Sequence, residues 1–93
     1  MSAAGKYLRR TEDGYLFWCL GCRSYHHVNT DQPQRPRWQF DGNIEAPTFT
    51  PSVVVQSGRS RCHLFVRGGQ IQYLGDCTHA LANQTVPMVE PPH

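Results

Sequence analysis

The sequence predicts a mainly β fold, a small antiparallel sheet of hairpins with one short helical turn near the C-terminus. Three observations carry this expectation. Seven prolines and eight glycines in 93 residues cut the chain into short runs that suit strands and turns better than helices. Gly68-Gly69 stands between two runs rich in β-forming residues, the pattern of a two-residue hairpin turn. Four cysteines include the pair Cys19-Leu20-Gly21-Cys22, whose spacing lets a tight turn offer both sulfurs to one tetrahedral ion. The architecture expected is therefore zinc-ribbon-like.

Taken in order, residues 6–10 form a short strand and Thr11-Glu12-Asp13-Gly14 a turn. Tyr15-Leu16-Phe17-Trp18 is an apolar strand running into Cys19, and residues 24–28 return as its partner, which sets the cysteine pair at a hairpin tip. Residues 29–37, polar and carrying two prolines, read as a surface loop long enough to be mobile or to touch a partner. Trp38-Gln39-Phe40 alternates and ends at Asp41-Gly42, a strand with both rings facing the core. Pro47 and Pro51 exclude a central strand over residues 45–52, leaving an irregular or edge segment pinned by Phe49. Val53-Val54-Val55 then forms a buried strand, and Ser57-Gly58 a turn.

Residues 61–76 form the hairpin around Gly68-Gly69. If Arg67 pairs with Gln70, Leu64 faces Tyr73, Val66 faces Ile71, and Cys62 faces Gly75 with Cys77 on the same face. His63 points the other way. Thr78 caps a helical turn over residues 79–84, and residues 85–89 close the sheet. The domain spans residues 1–89, and residues 90–93 form a frayed tail.

The first ten residues lack the apolar stretch of a secretory signal, and no apolar run approaches a membrane span. The expectation is a cytoplasmic protein with no membrane partner. Thiols stay reduced there, so the cysteines read as ligands of a structural Zn²⁺ and not as two disulfides. The expected ligands are Cys19, Cys22, Cys62 and Cys77, with His79 and His63 as alternates. His26 and His27, on the return strand, are read as surface residues. Four thiolates saturate the ion and leave no position for water or substrate.

A net charge of +2 is too small to imply nucleic acid by itself. Eight of the nine basic residues are arginine, suited to bidentate contacts. Arg59, Arg61 and Arg67 on the hairpin face opposite the cysteines, with Arg35 and Arg37 in the loop, form the expected partner-binding set. Within the fold, Arg61 is expected to pair with Asp76.

No catalytic residue is assigned. Cys19 and Cys22 are not followed by the helix of a redox dithiol, Arg23 stands where haem attachment needs histidine, and zinc-hydrolase motifs are missing. Asp76, Cys77 and His79 contain the group types of a nucleophilic site, but adjacency in sequence is not the required geometry. The expectation is a protein that is not an enzyme, takes no small-molecule substrate, and works by binding a protein partner. Nucleic-acid binding is the alternative, and a zinc-dependent enzyme a more distant one.

The ordered series Phe17-Trp18-Cys19-Leu20-Gly21-Cys22, Trp38-Gln39-Phe40-Asp41-Gly42, Pro47-Thr48-Phe49-Thr50-Pro51-Ser52, Cys62-His63-Leu64-Phe65-Val66 and Asp76-Cys77-Thr78-His79-Ala80-Leu81-Ala82 resembles a family of small phage and prophage proteins of unknown function. Members often carry the label ammonia monooxygenase, which a chain without membrane spans does not support. The resemblance implies a phage-type accessory protein with a zinc-ribbon-like core. It also implies that serine is admitted at position 77, which raises His79 as a ligand.

Overall fold

The computed structural model describes residues 2–92. Among the described residues nine strands form two antiparallel sheets. The first sheet holds β1 (Ser2–Ala4), β2 (Leu8–Arg10), β3 (Gly14–Cys19) and β4 (Ser24–Asn29) in chain order. The second holds β5 (Gln39–Phe40), β6 (Phe49–Ser57), β7 (Ser60–Arg67), β8 (Gln70–Tyr73) and β9 (Thr85–Pro87), also in chain order. The β class and the hairpin build stand as expected, in two sheets where one was foreseen.

Alternation along the strands builds the core between the sheets. Leu8, Phe17 and Val28 from the first sheet meet Phe49, Val53, Leu64, Val66, Ile71 and Tyr73 from the second, all buried. Phe49 is central, with Phe40 at 4.9 Å and Phe17 at 6.4 Å between ring centroids. Full burial of each such side chain contributes about 1.5–3 kcal/mol.

The β7–β8 register agrees with expectation, Leu64 opposite Tyr73 and Val66 opposite Ile71. Gly68 and Gly69 both take positive φ, 57° and 78°, as a type I′ turn requires. Three local expectations change. Pro51 lies within β6, because a register shift between Phe49 and Val53 absorbs it. Of the three valines only Val53 is buried, while Val54 is 47% exposed and Val55 36%. Residues 79–84 form turns instead of a helical turn, with i+3 bonds from Ala82 N–H to His79 O and from Gln84 N–H to Leu81 O. Near the C-terminus Pro91 is buried, and Tyr25 Oη donates to Pro92 O at 3.2 Å. The expected fraying at His93 lies outside the described residues.

Candidate active site and metal cluster

The outer face of the second sheet brings three side chains from neighbouring strands into one line. Ser52 comes from β6, His63 from β7 and Asp76 from the segment after β8. Ser52 Oγ is 3.1 Å from His63 Nε2, and His63 Nδ1 is 3.1 Å from Asp76 Oδ2 and 3.2 Å from Oδ1. A hydroxyl on one imidazole nitrogen and a carboxylate on the other is the arrangement of nucleophile, general base and orienting acid. The carboxylate selects the tautomer in which Nδ1–H donates to Asp76, leaving Nε2 to accept the hydroxyl proton.

Strand pairing explains the convergence. Val54 pairs with His63, so Ser52, two residues earlier on β6, shares the outer face with the imidazole. Between Phe49 and Val53 β6 advances four residues while β7 advances two, from Val66 to Leu64. Such a bulge re-aims the side chains it carries. Trp38 Nε1–H donates to Ser52 O at 3.2 Å and holds that backbone.

Asp76 is gripped by Arg61, whose Nε donates to Oδ2 at 2.7 Å. The guanidinium first, and the His63 imidazole second, hold the Asp76 carboxyl below the usual carboxylate range. His63's main chain is also pinned. Leu74 N–H donates to His63 O at 2.9 Å, while the Cys77 thiol accepts from His63 N–H at 3.3 Å and donates to His63 O at 3.2 Å.

Behind this face lie the cysteines, Cys19, Cys62 and Cys77 buried and Cys22 exposed. All four are free. Ligand atoms of Cys19, Cys22, His26 and Cys62 lie within 4.8 Å of one another, as do those of Cys62, Cys77 and His79. The first group could hold a metal ion: it joins three sulfurs to one imidazole nitrogen. Cys19 Sγ is 3.8 Å from Cys62 Sγ, and Cys22 N–H donates to Cys19 Sγ at 3.4 Å, as expected for a turn of this spacing. His26 is 5% exposed, and its Nε2 has no hydrogen-bond partner among the described residues. A buried imidazole nitrogen without a partner is costly unless something occupies it.

The cluster favours negative charge on Cys19. The Cys62 thiol, then the His26 imidazole, the Tyr73 hydroxyl at 3.2 Å and the Cys22 N–H, outweigh burial and bring the Cys19 thiol down to about 3. Cys62 moves up because it donates to Cys19. Burial and then the Cys19 charge push Cys22 up.

The structure thus brings Cys19, Cys22 and Cys62 together and sets Cys77 beside Cys62 and the His63 backbone. His79 Nε2 stands 3.3 Å from Cys62 Sγ. Because His79 Nδ1 accepts from Leu81 N–H at 3.2 Å, Nε2 carries the proton and donates to the sulfur. His63 faces away, toward Ser52. His26 is buried and not at the surface, since it alternates with buried Val28 on β4 and packs edge-on to Phe17 at 5.8 Å. That i, i+2 relation was the sequence signal for it.

The arginines meet separate neighbours. Arg61 is engaged with Asp76 as expected, and with Gln56 at 3.1 Å. Arg67 lies 3.9 Å over the Phe65 ring and donates to Gln72. Arg37 donates to Thr30 O, and Arg35 lines an open cleft with Trp38. Arg59 sits exposed in the β6–β7 turn.

A family model described as bacterial ubiquitination-like system serine protease (BubE) matches residues 1–74. Ser52 and His63 lie inside that span, and Asp76 two residues beyond it. No curated protein and no solved structure matches. The family match overturns the resemblance to phage proteins of unknown function. It overturns equally the expectations of a phage-type accessory protein that works only by binding, with nucleic acid as the alternative, and of a chain that is not an enzyme. The physical reason is that Ser52 and His63 sit on different strands, where no local motif announces their contact. With most of its length covered by the match, the chain belongs to the BubE family, whose description is that of a serine protease.

Proposed function

We propose that the chain is a serine peptidase that uses Ser52, His63 and Asp76 on a protein of a ubiquitination-like system. The observation that carries this reading is the pair of contacts on the two nitrogens of His63, 3.1 Å to Ser52 Oγ and 3.1 Å to Asp76 Oδ2. Ser52 Oγ attacks the scissile carbonyl as His63 Nε2 takes its proton. The tetrahedral adduct collapses, the C–N bond breaks, and His63 returns the proton to the leaving amine. Water then attacks the seryl ester by the reverse path, regenerating the hydroxyl. Asp76 stays ionised, stabilises the imidazolium and fixes its tautomer; Arg61 positions Asp76.

The cysteine cluster, on this reading, is a structural Zn²⁺ site held by Cys19, Cys22, Cys62 and His26. Three thiolates and an imidazole suit a tetrahedral, borderline-soft ion and leave no open position. The orphaned His26 Nε2 supports the fourth place. Cys77 donates to a carbonyl and so acts there as a thiol, and His79 donates to Cys62 from outside the ligand set.

Two measurements test these readings. Ser52→Ala and His63→Ala each lower peptide cleavage by on the order of 10⁴- to 10⁶-fold with the melting temperature kept; wild-type rates in either variant contradict the triad. Protein purified without added metal holds zinc, which Cys22→Ser and His26→Ala lose and Cys77→Ser keeps. Zinc lost with Cys77→Ser and kept with His26→Ala contradicts the ligand set.

A further inference from the structure

We propose that the open edge of β6 takes the substrate main chain as an added strand and delivers its scissile carbonyl to Ser52. This rests on the serine-peptidase reading and names the form of substrate it accepts. Along Val53 to Ser57 one edge of β6 pairs with β7, while β5 pairs on the other edge only with Phe49 and Thr50. Among the described residues no strand covers that other edge beyond Thr50.

Hydrogen-bond parity fixes what the edge offers. His63's main chain is turned toward β8, its carbonyl accepting from Leu74 N–H. Val54, opposite His63, is therefore at a position without ladder bonds to β7, and its N–H and C=O point outward. The same holds for Gln56, two residues on and opposite Arg61, whose carbonyl accepts from Thr78 N–H.

An alternating row of outward donors and acceptors matches an extended peptide main chain; a helix leaves it unsatisfied. Nor is this edge blunted, since residues 53–57 carry neither charge nor proline and the exposed Val54 leaves the strand inviting addition. The ladder ends where chemistry begins, because Ser52 O is already bonded to Trp38 Nε1. A peptide lying along Gln56 and Val54 thus presents its next residue beside Ser52 Oγ.

The test uses the full chain, a library of unstructured peptides and a fluorophosphonate probe. Val54→Pro removes one outward N–H and no bond to β7, a substitution that edge positions accept. It is expected to raise KM roughly tenfold with kcat and fluorophosphonate labelling unchanged. In parallel, single N-methylation along a cleaved peptide, read with wild-type enzyme, is expected to block cleavage at alternate amides. Wild-type KM in Val54→Pro, or N-methyl effects without a two-residue period, overturns the inference. So does a wild-type enzyme that takes the probe at Ser52 but cleaves no unstructured peptide, or a dimer that Val54→Pro dissociates without altering cleavage. Failure of the probe to label wild-type enzyme overturns the triad reading first.

Discussion

Asp76 shows how one residue carries several duties. Its carboxylate orients His63 on the outer face, and the next residue, Cys77, grips the His63 backbone on the inner side. Arg61 keeps the carboxyl depressed. Since the folded value lies below the unfolded one, this contact stabilises the fold at every pH above the ordinary value of 3.8. That contribution disappears as pH falls through the lower, folded value. Arg61→Ala is expected to move the Asp76 titration, followed by carboxyl NMR, up toward 3.8. An unmoved titration removes Arg61 from its positioning role.

Gly21 is constrained as tightly. A Cβ there meets the His79 ring at 2.3–2.5 Å, so Gly21→Ala must displace the imidazole from Cys62. A cost of about 1–3 kcal/mol, read by denaturant unfolding, is expected; an unchanged midpoint contradicts this packing.

Individual residues were unequally legible. Hairpin parity correctly sends His63 to the outer face and Arg61 to Asp76, so His63 and Asp76 were derivable as diagonal neighbours. Ser52 was not, because a hydroxyl has no compositional signature and its strand had been set aside on account of Pro51. The Val53-Val54-Val55 strand was legible, and pairing it with β7, Val54 opposite His63, is the step that brings Ser52 to His63.

At the level of elements, the β7–β8 hairpin was the most readable, since Gly68-Gly69 dictates its turn and the turn dictates its register. β6 was the least readable. Its bulge arises from pairing with β7 across Phe49 and Val53, a tertiary fact without local signal, and that bulge carries Ser52. The cysteine pair was visible as a turn, and its meeting with Cys62 follows from β3 and β7 lying in sheets that face each other across the core.

The β3–β4 hairpin depends on its first residue. A Cβ on Gly14 stands 1.9 Å from Val28 O, a backbone atom that can yield only by breaking the pairing with Asn29. Gly14→Ala is expected to cost more than Gly21→Ala, with loss of amide protection across β3 and β4 by hydrogen exchange. Protection equal to wild type contradicts that close approach.

For the whole molecule, the proposed ion joins the two sheets. Cys19, Cys22 and His26 belong to the first sheet and its turn, whereas Cys62 belongs to the second. The core is small, and a domain of this size gains much of its margin from such a cross-link. Cys62 is also the neighbour of His63, so the proposed ion would anchor from behind the strand that carries His63. Zinc chelation is expected to lower the melting temperature by about 10 °C or more, since ~2 kcal/mol suffices for that in a domain this short. Peptide cleavage is lost with it. A chelated sample that melts and cleaves like the untreated one contradicts the cross-link.

Ser52, on the proposed reading, is a nucleophile and not a surface hydroxyl. The most direct measurement is the mass of the intact protein and of its peptides after reaction with a fluorophosphonate. One adduct per chain on Ser52, absent in Ser52→Ala and strongly slowed in His63→Ala, is the predicted result. An unreacted chain, or an adduct on another residue at the same rate in His63→Ala, contradicts it.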